Sequence, residues 1–394
     1  MRITRILEKD VSIASQIRNA YIDFSKMTVS CVVIESDVMR GGKPLCGYGF
    51  NSNGRYAQGG ILRQRMIPRL LNAPPGSLVT EDGTSFDPFR CWQTMMTNEK
   101  PGGHGERSVA VGVLDMALWD LVAKIEDKPL YRLLAERYHG GESSPDVWLY
   151  AAGGYYYPGK DVRALEEEIR HYLGLGYETV KIKIGGEPLD DDLRRVEAVL
   201  KIVGEGKRLA VDANARFDLE TALRYSEALA PCKLKWYEEP VEVLDFDALA
   251  EVARSTQTPL ATGENLFSMH DARNLVRYGG MDPQRDYLQF DPVLSYGLVE
   301  YLRTIEMLEG IGWSRRRCIP HGGHQFATHI AAGLGLGGNE AYPRVFEPFG
   351  GLGDGVKVRN GRVHVSDAPG IGIELNSALY DVFRSVAARR DAAS

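Results

Sequence analysis

Three carboxylates in this 394-residue chain recur at a fixed interval: Asp212, Glu238 and Glu264 stand 26 residues apart (238 − 212 and 264 − 238). Each ends or follows a short apolar run, RLAVDA, KLKWYE and TPLATG. That interval fits one strand–helix–strand repeat, so the three acids are expected at equivalent heights on adjacent parallel strands. Carboxylates gathered without a counter-charge repel one another, and a hard dication with oxygen ligands, Mg2+, resolves the repulsion. One acid at a strand end is more often solvated or caps the next helix; three in step point to a metal.

Other chemistry-bearing residues fall at the ends of similar runs. Lys181 and Lys183 alternate with Val180, Ile182 and Ile184, so both lysines share one face, the barrel interior or its mouth. A lysine there, near a dication, is expected to have a lowered pKa and to act as a base. The run DYLQFD ends in Asp291 and RRRCIPH ends in His321, a histidine and a carboxylate on neighbouring strands that suit an acid/base pair. His324 is an alternative to His321, or its companion in a zinc pair; His321 is preferred because it directly ends Cys-Ile-Pro-His. Asn214, two residues beyond Asp212, is a further candidate to face a substrate.

The elements that must position these residues follow from periodicity. Strands are expected at 147–152, 179–184, 208–213, 233–238, 258–263, 286–291, 315–321 and 338–346, with amphipathic helical windows between them. Seven or eight such units over about 200 residues favour a closed parallel barrel, with an open doubly wound sheet as the alternative. Residues 1–140 read as α+β, with strands near 3–7, 28–36 and 45–50, a helix over 60–74 and a long helix over 106–136. The expected organisation is an α+β capping domain (1–140, completed by about 355–394) and a catalytic barrel (141–354).

Composition excludes several alternatives. Net charge is −6, from 47 Lys and Arg against 53 Asp and Glu, which disfavours nucleic acid and anionic lipid as partners. Five dispersed cysteines without a C-x-x-C pair argue against a disulfide framework, so a cytoplasmic setting is expected. The first ten residues reach charge before an apolar core forms, so no secretory signal is read there, and no run suits a membrane span. Gly333, Gly335 and Gly338 match G-x-G-x-x-G, but no helix follows, so a nucleotide site is rejected.

Taken together, Lys-x-Lys, Asp-x-Asn, Glu-Glu-Pro, Gly-Glu-Asn, Asp and His at successive strand ends resemble the mandelate racemase-like branch of the enolase superfamily. The segments RSVAVGVLDMALWDLVAKIEDKPLYRLL and PGIGIEL resemble the same family. The resemblance implies a (β/α)7β barrel with an α+β cap, and Asp212, Glu238 and Glu264 as Mg2+ ligands. It implies Lys183 as one base, His321 with Asp291 as the acid/base on the other side, and Lys181 against the substrate carboxylate. Glu340, nineteen residues after His321, falls where the family has a protonated hydrogen-bond donor to that carboxylate, and Tyr342 shares its side. Tyr155 and Tyr156 after the first barrel strand, with Asn53, Arg55 and Lys100 from the cap, are expected at the distal end of a small hydroxy-acid substrate. Lys100 or Arg55 would meet a second carboxylate. The implied chemistry is α-proton abstraction followed by loss of a β-hydroxyl, or racemisation by the same two bases, in a homo-oligomer.

Overall fold

The computed structural model describes residues 1–13 and 15–388. Residues 389–394, part of the expected C-terminal portion of the cap, lie outside the described residues. Strands β1 (Ile3–Ser12), β2 (Thr28–Arg40) and β3 (Lys43–Phe50) form an antiparallel sheet in that order. Gly41 and Gly42, at φ 57° and 77°, make the two-residue turn between β2 and β3, a conformation that suits the twist of a hairpin.

The helix Arg107–Ile125 packs on this sheet and is buried on almost every side. Glycines allow its close contacts: a Cβ on Gly47 would lie 1.9 Å from the Ala117 carbonyl oxygen, and one on Gly112 would lie 1.7 Å from that of Val293. The helix's buried acids join separate parts of the chain. Asp115 accepts from Leu298 N (2.6 Å), whereas Asp120 accepts from Tyr48 N (3.0 Å) and Ile371 N (2.8 Å) and pairs with Lys124 (2.6 Å). Lys124 also meets Glu374 (2.7 Å). The single helix expected over 106–136 is two, the second being Leu130–Tyr138. Asp127 turns the chain at φ 56°, and Pro129, which has no N–H to continue the helix, precedes the second.

From residue 146 strands and helices alternate. Strands β4 (Asp146–Ala152), β5 (Val180–Lys183), β6 (Leu209–Asp212), β7 (Tyr237–Glu238), β8 (Leu260–Thr262), β9 (Tyr287–Leu288) and β10 (Asn339–Ala341) lie parallel in the order β10-β4-β5-β6-β7-β8-β9. A short strand β11 (Arg362–His364) adds antiparallel to β4. The connecting helices bury one stripe, as Leu165, Ile169 and Tyr172 do in Val162–Gly174.

The strand expected at 315–321 is mostly absent. Arg315–Arg317 form a 3-10 turn, because the guanidinium groups reach outward: Arg315 pairs with Glu309 (2.6 Å) and Arg317 donates to the Arg285 carbonyl (3.2 Å). Only the next few residues are extended. Ile319 N donates to Leu288 O (2.9 Å) and Gly337 N to Cys318 O (3.0 Å), so this stretch lies between β9 and the approach to β10 and the sheet curls. The chain then returns to the first sheet, where Tyr380 and Phe383 pack on the Tyr48 ring at 5.8 and 5.1 Å. Among the described residues, no helix is long and apolar enough to cross a membrane.

Candidate active site

Strand register brings the chemistry-bearing residues into one row. Lys183 is paired with Asp212 across β5 and β6, and Asp212 with Glu238 across β6 and β7. The row continues to Ala261 on β8, so Glu264 is not at the same height as the other two acids. Strand β8 ends at Thr262, and Gly263, at φ 131°, carries the chain outward before Glu264.

Above the row lies a cavity of about 470 Å³. Lys183, Glu264, His321, Tyr342, Tyr155, Asn53, Arg55 and Asn214 all line it. Lys181, Asp212, Glu238, Asp291 and Glu340 are buried directly behind. Lys183 Nζ pairs with Asp212 Oδ2, and Lys181 Nζ lies 2.5 Å from Glu238 Oε1, 2.9 Å from Glu340 Oε1 and 3.5 Å from Asp212 Oδ2. His321 Nδ1 lies 2.8 Å from Asp291 Oδ2, and its Nε2 lies 3.1 Å from the Tyr342 hydroxyl and 3.5 Å from Glu264.

The charges of these groups follow from their contacts. Burial disfavours both ammonium groups, but Asp212 beside Lys183, and Glu238 and Glu340 beside Lys181, outweigh it and hold both lysines above the ordinary lysine range. The lowering expected of a lysine near a dication would need Asp212 turned to the metal and away from Lys183. Burial favours the neutral form of Glu340, yet Lys181 and His321 pull it down to about 2. Its Oε2 accepts from Tyr342 Oη (2.7 Å) and Gly322 N (3.2 Å), as an ionised carboxylate should. Burial likewise opposes charge on His321, but Glu264, Glu340 and Asp291 push it up to about 10.

The acids are short of positive charge. Burial, then Asp212, raises Glu238 to about 8 despite Lys181, and burial with Glu264 raises Glu239. Asp212, Glu238 and Glu264 offer only oxygen donors, which is the preference of a hard dication. Among the described residues, however, no three acidic, histidine or cysteine side chains are gathered as a ready-made metal cage. Lys183 and Lys181 sit on two of the candidate ligands instead.

Lys100 is not at this site. It is exposed, lies outside the cavity and offers its backbone carbonyl to Arg107 (2.9 Å); nothing in a glycine-rich loop sequence fixes where such a side chain points. Tyr156 also turns away, donating to Asp192 (2.8 Å). His324 is not a second ligand beside His321: its Nδ1 accepts from Ala327 N (3.1 Å) and caps the helix Gln325–Leu334. Glu239 and Asn265, which follow Glu238 and Glu264 in Glu-Glu-Pro and Gly-Glu-Asn, are joined at 3.0 Å, with Arg55 donating to Asn265 (2.8 Å). Asn265 was visible in Gly-Glu-Asn. Ser52, within 3.0 Å of Asp291, carried no signal at all.

The chain matches the family described as enolase C-terminal domain-like over residues 164–379, more than half its length. It is 28% identical to the arabinonate dehydratase of Saccharolobus solfataricus, covering 71% of this chain and 74% of that protein. It is 29% identical to the L-talarate/galactarate dehydratase of Salmonella typhimurium, covering 76% and 71%. The crystal structure of L-talarate dehydratase from Polaromonas sp. JS666, complexed with Mg and L-glucarate, superposes with a TM-score of 0.73 at 26% identity, over 96% of each chain. The register of acids and lysines, the His–Asp pair and these matches agree: the chain belongs to the enolase superfamily, in its mandelate racemase-like branch.

Proposed function

We propose that the protein is a Mg2+-dependent dehydratase of a hydroxy acid, converting D-tartrate to oxaloacetate and water. The carrying observation is that Lys183 and the Asp291-bound His321 open onto one cavity that Glu264 also lines, with Asp212 and Glu238 buried against the two lysines. The dehydratases among its relatives support the reaction class. Support for a dicarboxylate comes from the Arg55 guanidinium in the same cavity, while the buried, unpartnered Asn53 Oδ1 suits a substrate hydroxyl, which can donate to it. The sheet is read as a (β/α)7β barrel closed by the 318–320 stretch, with residues 1–140 and the C-terminal segment as its cap.

Asp212, Glu238 and Glu264 would hold Mg2+, which would supply Lewis-acid stabilisation of the negative charge developing on the substrate carboxylate. Lys181 adds a fixed positive charge beside it. With Asp212 turned to the dication, Lys183 Nζ would lose the counter-charge that keeps it protonated and would take the α-proton; the Tyr155 ring, 5.0 Å away, covers the ammonium it becomes. The electron pair left on the α-carbon forms the double bond as the β-hydroxyl departs with the proton of His321 Nε2. Asp291 holds His321 through Nδ1, so Nε2 is the nitrogen that faces the substrate. The enol product then becomes a 2-keto acid.

The test is purified protein with Mg2+ against tartrate isomers, other hydroxy diacids and five- and six-carbon acid sugars, with detection of 2-keto acids. Oxaloacetate from D-tartrate is the expected result. Keto acid from another acid sugar but from no tartrate isomer overturns the substrate. Epimer without keto acid would make the protein a racemase using the same bases. Lys183→Ala should abolish α-proton exchange in D2O, and His321→Asn should preserve exchange while stopping dehydration.

A further inference from the structure

The His321–Asp291 pair is held by a residue from the other part of the chain. Ser52 follows β3 directly, is buried, and its Oγ lies 3.0 Å from Asp291 Oδ1 and 2.9 Å from His324 Nε2. Donor and acceptor roles in this chain of contacts are forced. A backbone amide only donates, so His324 Nδ1 accepts from Ala327 N and carries no proton. Burial keeps the ring neutral, pushing it down to about 4, so its one proton is on Nε2 and points at Ser52. Ser52 accepts it and has a single hydrogen left to give. The ionised Asp291 can only accept, so that hydrogen goes to Oδ1.

Asp291 Oδ1 also accepts from Val293 N (2.7 Å) and Leu294 N (2.9 Å). With three donors on Oδ1, Oδ2 is left for His321 Nδ1. Packing leaves no slack: a Cβ on Gly322 would fall 2.7 Å from His324 Nε2 and 2.9 Å from Asp291 Oδ2. The same short loop carries Asn53 and Arg55 into the cavity.

We propose that Ser52, its hydroxyl orientation set by His324, is a positioning residue that fixes the Asp291 carboxylate and through it the proton-bearing face of His321. The proposal rests on the dehydratase reading of the site. Its contact with the substrate is indirect, so its loss should spare binding and the Lys183 step and weaken the His321 step. Misplacement of a catalytic group by a fraction of an ångström to 1 Å costs on the order of tenfold to a hundredfold.

The experiment compares wild type, Ser52→Ala and Ser52→Thr, with Mg2+ and the substrate that wild type converts, measuring α-proton exchange in D2O, keto-acid kcat and KM. Ser52→Ala should lower kcat for keto acid by about tenfold or more, with exchange and KM nearly unchanged, and Ser52→Thr should recover part of the loss. Selective 15N-histidine NMR, assigned with His321→Asn and His324→Asn, supplies a readout that needs no turnover. Wild type should show His324 protonated at Nε2, and Ser52→Ala should shift the His321 Nδ1 resonance. Wild-type rates and an unmoved His321 resonance in Ser52→Ala overturn the proposal, as does an equal fall in exchange and dehydration. If wild type neither exchanges nor dehydrates any substrate, the functional reading fails, and the NMR comparison still decides whether Ser52 positions His321.

Discussion

His329 offers a direct measure of what burial costs a titrating side chain in this fold. It sits on the helix Gln325–Leu334, immediately after the stretch bearing His321 and His324, and packs on Tyr131 with ring centroids 6.0 Å apart. Its Nδ1 accepts from Tyr131 N (3.3 Å), and burial pushes its pKa down from 6.5 to about 3. A histidine with a lowered folded pKa stabilises the fold above its unfolded pKa and loses that contribution as pH falls towards the folded value. At pH 7 the penalty is close to zero. At pH 5 the unfolded chain binds the proton and the folded one does not, a gap of 1.5 units that amounts to about 2 kcal/mol. His329→Gln keeps an acceptor for Tyr131 N and removes the titration. Urea unfolding followed by tryptophan fluorescence at pH 7 and pH 5 should therefore show wild type losing about 2 kcal/mol more than the variant. His324 titrates in the same direction in both proteins and cancels in the comparison. Equal losses in the two proteins would refute the reasoning.

Three further outcomes follow from the packing and the acids. Gly112→Ala should destabilise by about 1–3 kcal/mol in denaturant, because its Cβ meets the Val293 carbonyl and the overpacking exceeds the roughly 1 kcal/mol gain in helix propensity; a more stable variant would contradict the contact. Asp120→Ala should cost about 3–5 kcal/mol in the same assay, since it strips a buried partner from Lys124 and an acceptor from Tyr48 N and Ile371 N. Glu238→Gln should weaken Mg2+ binding, read by calorimetry, by more than about tenfold; unchanged affinity would remove Glu238 from the proposed ligand set.

Much of the strand framework was legible because repeat length is a one-dimensional property. The 26-residue interval placed Asp212 and Glu238 side by side, and the alternation in Val-Lys-Ile-Lys put both lysines on one face. The same interval misjudged Glu264, because it counts residues without seeing that Gly263 turns the chain. Charge states were less legible still. The ionisation of Glu340 depends on Lys181 reaching across from β5, a contact between residues far apart in sequence. The run RRRCIPH has strand-like residues at its end, but three consecutive arginines need partners outside an apolar sheet. Ser52 was beyond reach because a serine after a strand is ordinary until a carboxylate and an imidazole are found beside it.

The all-round burial of Arg107–Ile125 has a consequence for how the chain is made. During synthesis the first sheet can cover one side of this helix at once. The Val293–Leu298 stretch and the segment around Ile371, which occupy its other sides, leave the ribosome only after some 170 and 245 further residues. At about 5–20 residues per second, the nascent chain carries an apolar helix with bare flanks for roughly ten seconds to most of a minute. Asp115, Asp120 and Lys124, which serve as anchors once their partners arrive, meanwhile keep that surface from being uniformly adhesive. Truncated products ending before residue 371 would retain the exposed flank, and should be recovered bound to chaperones or in aggregates.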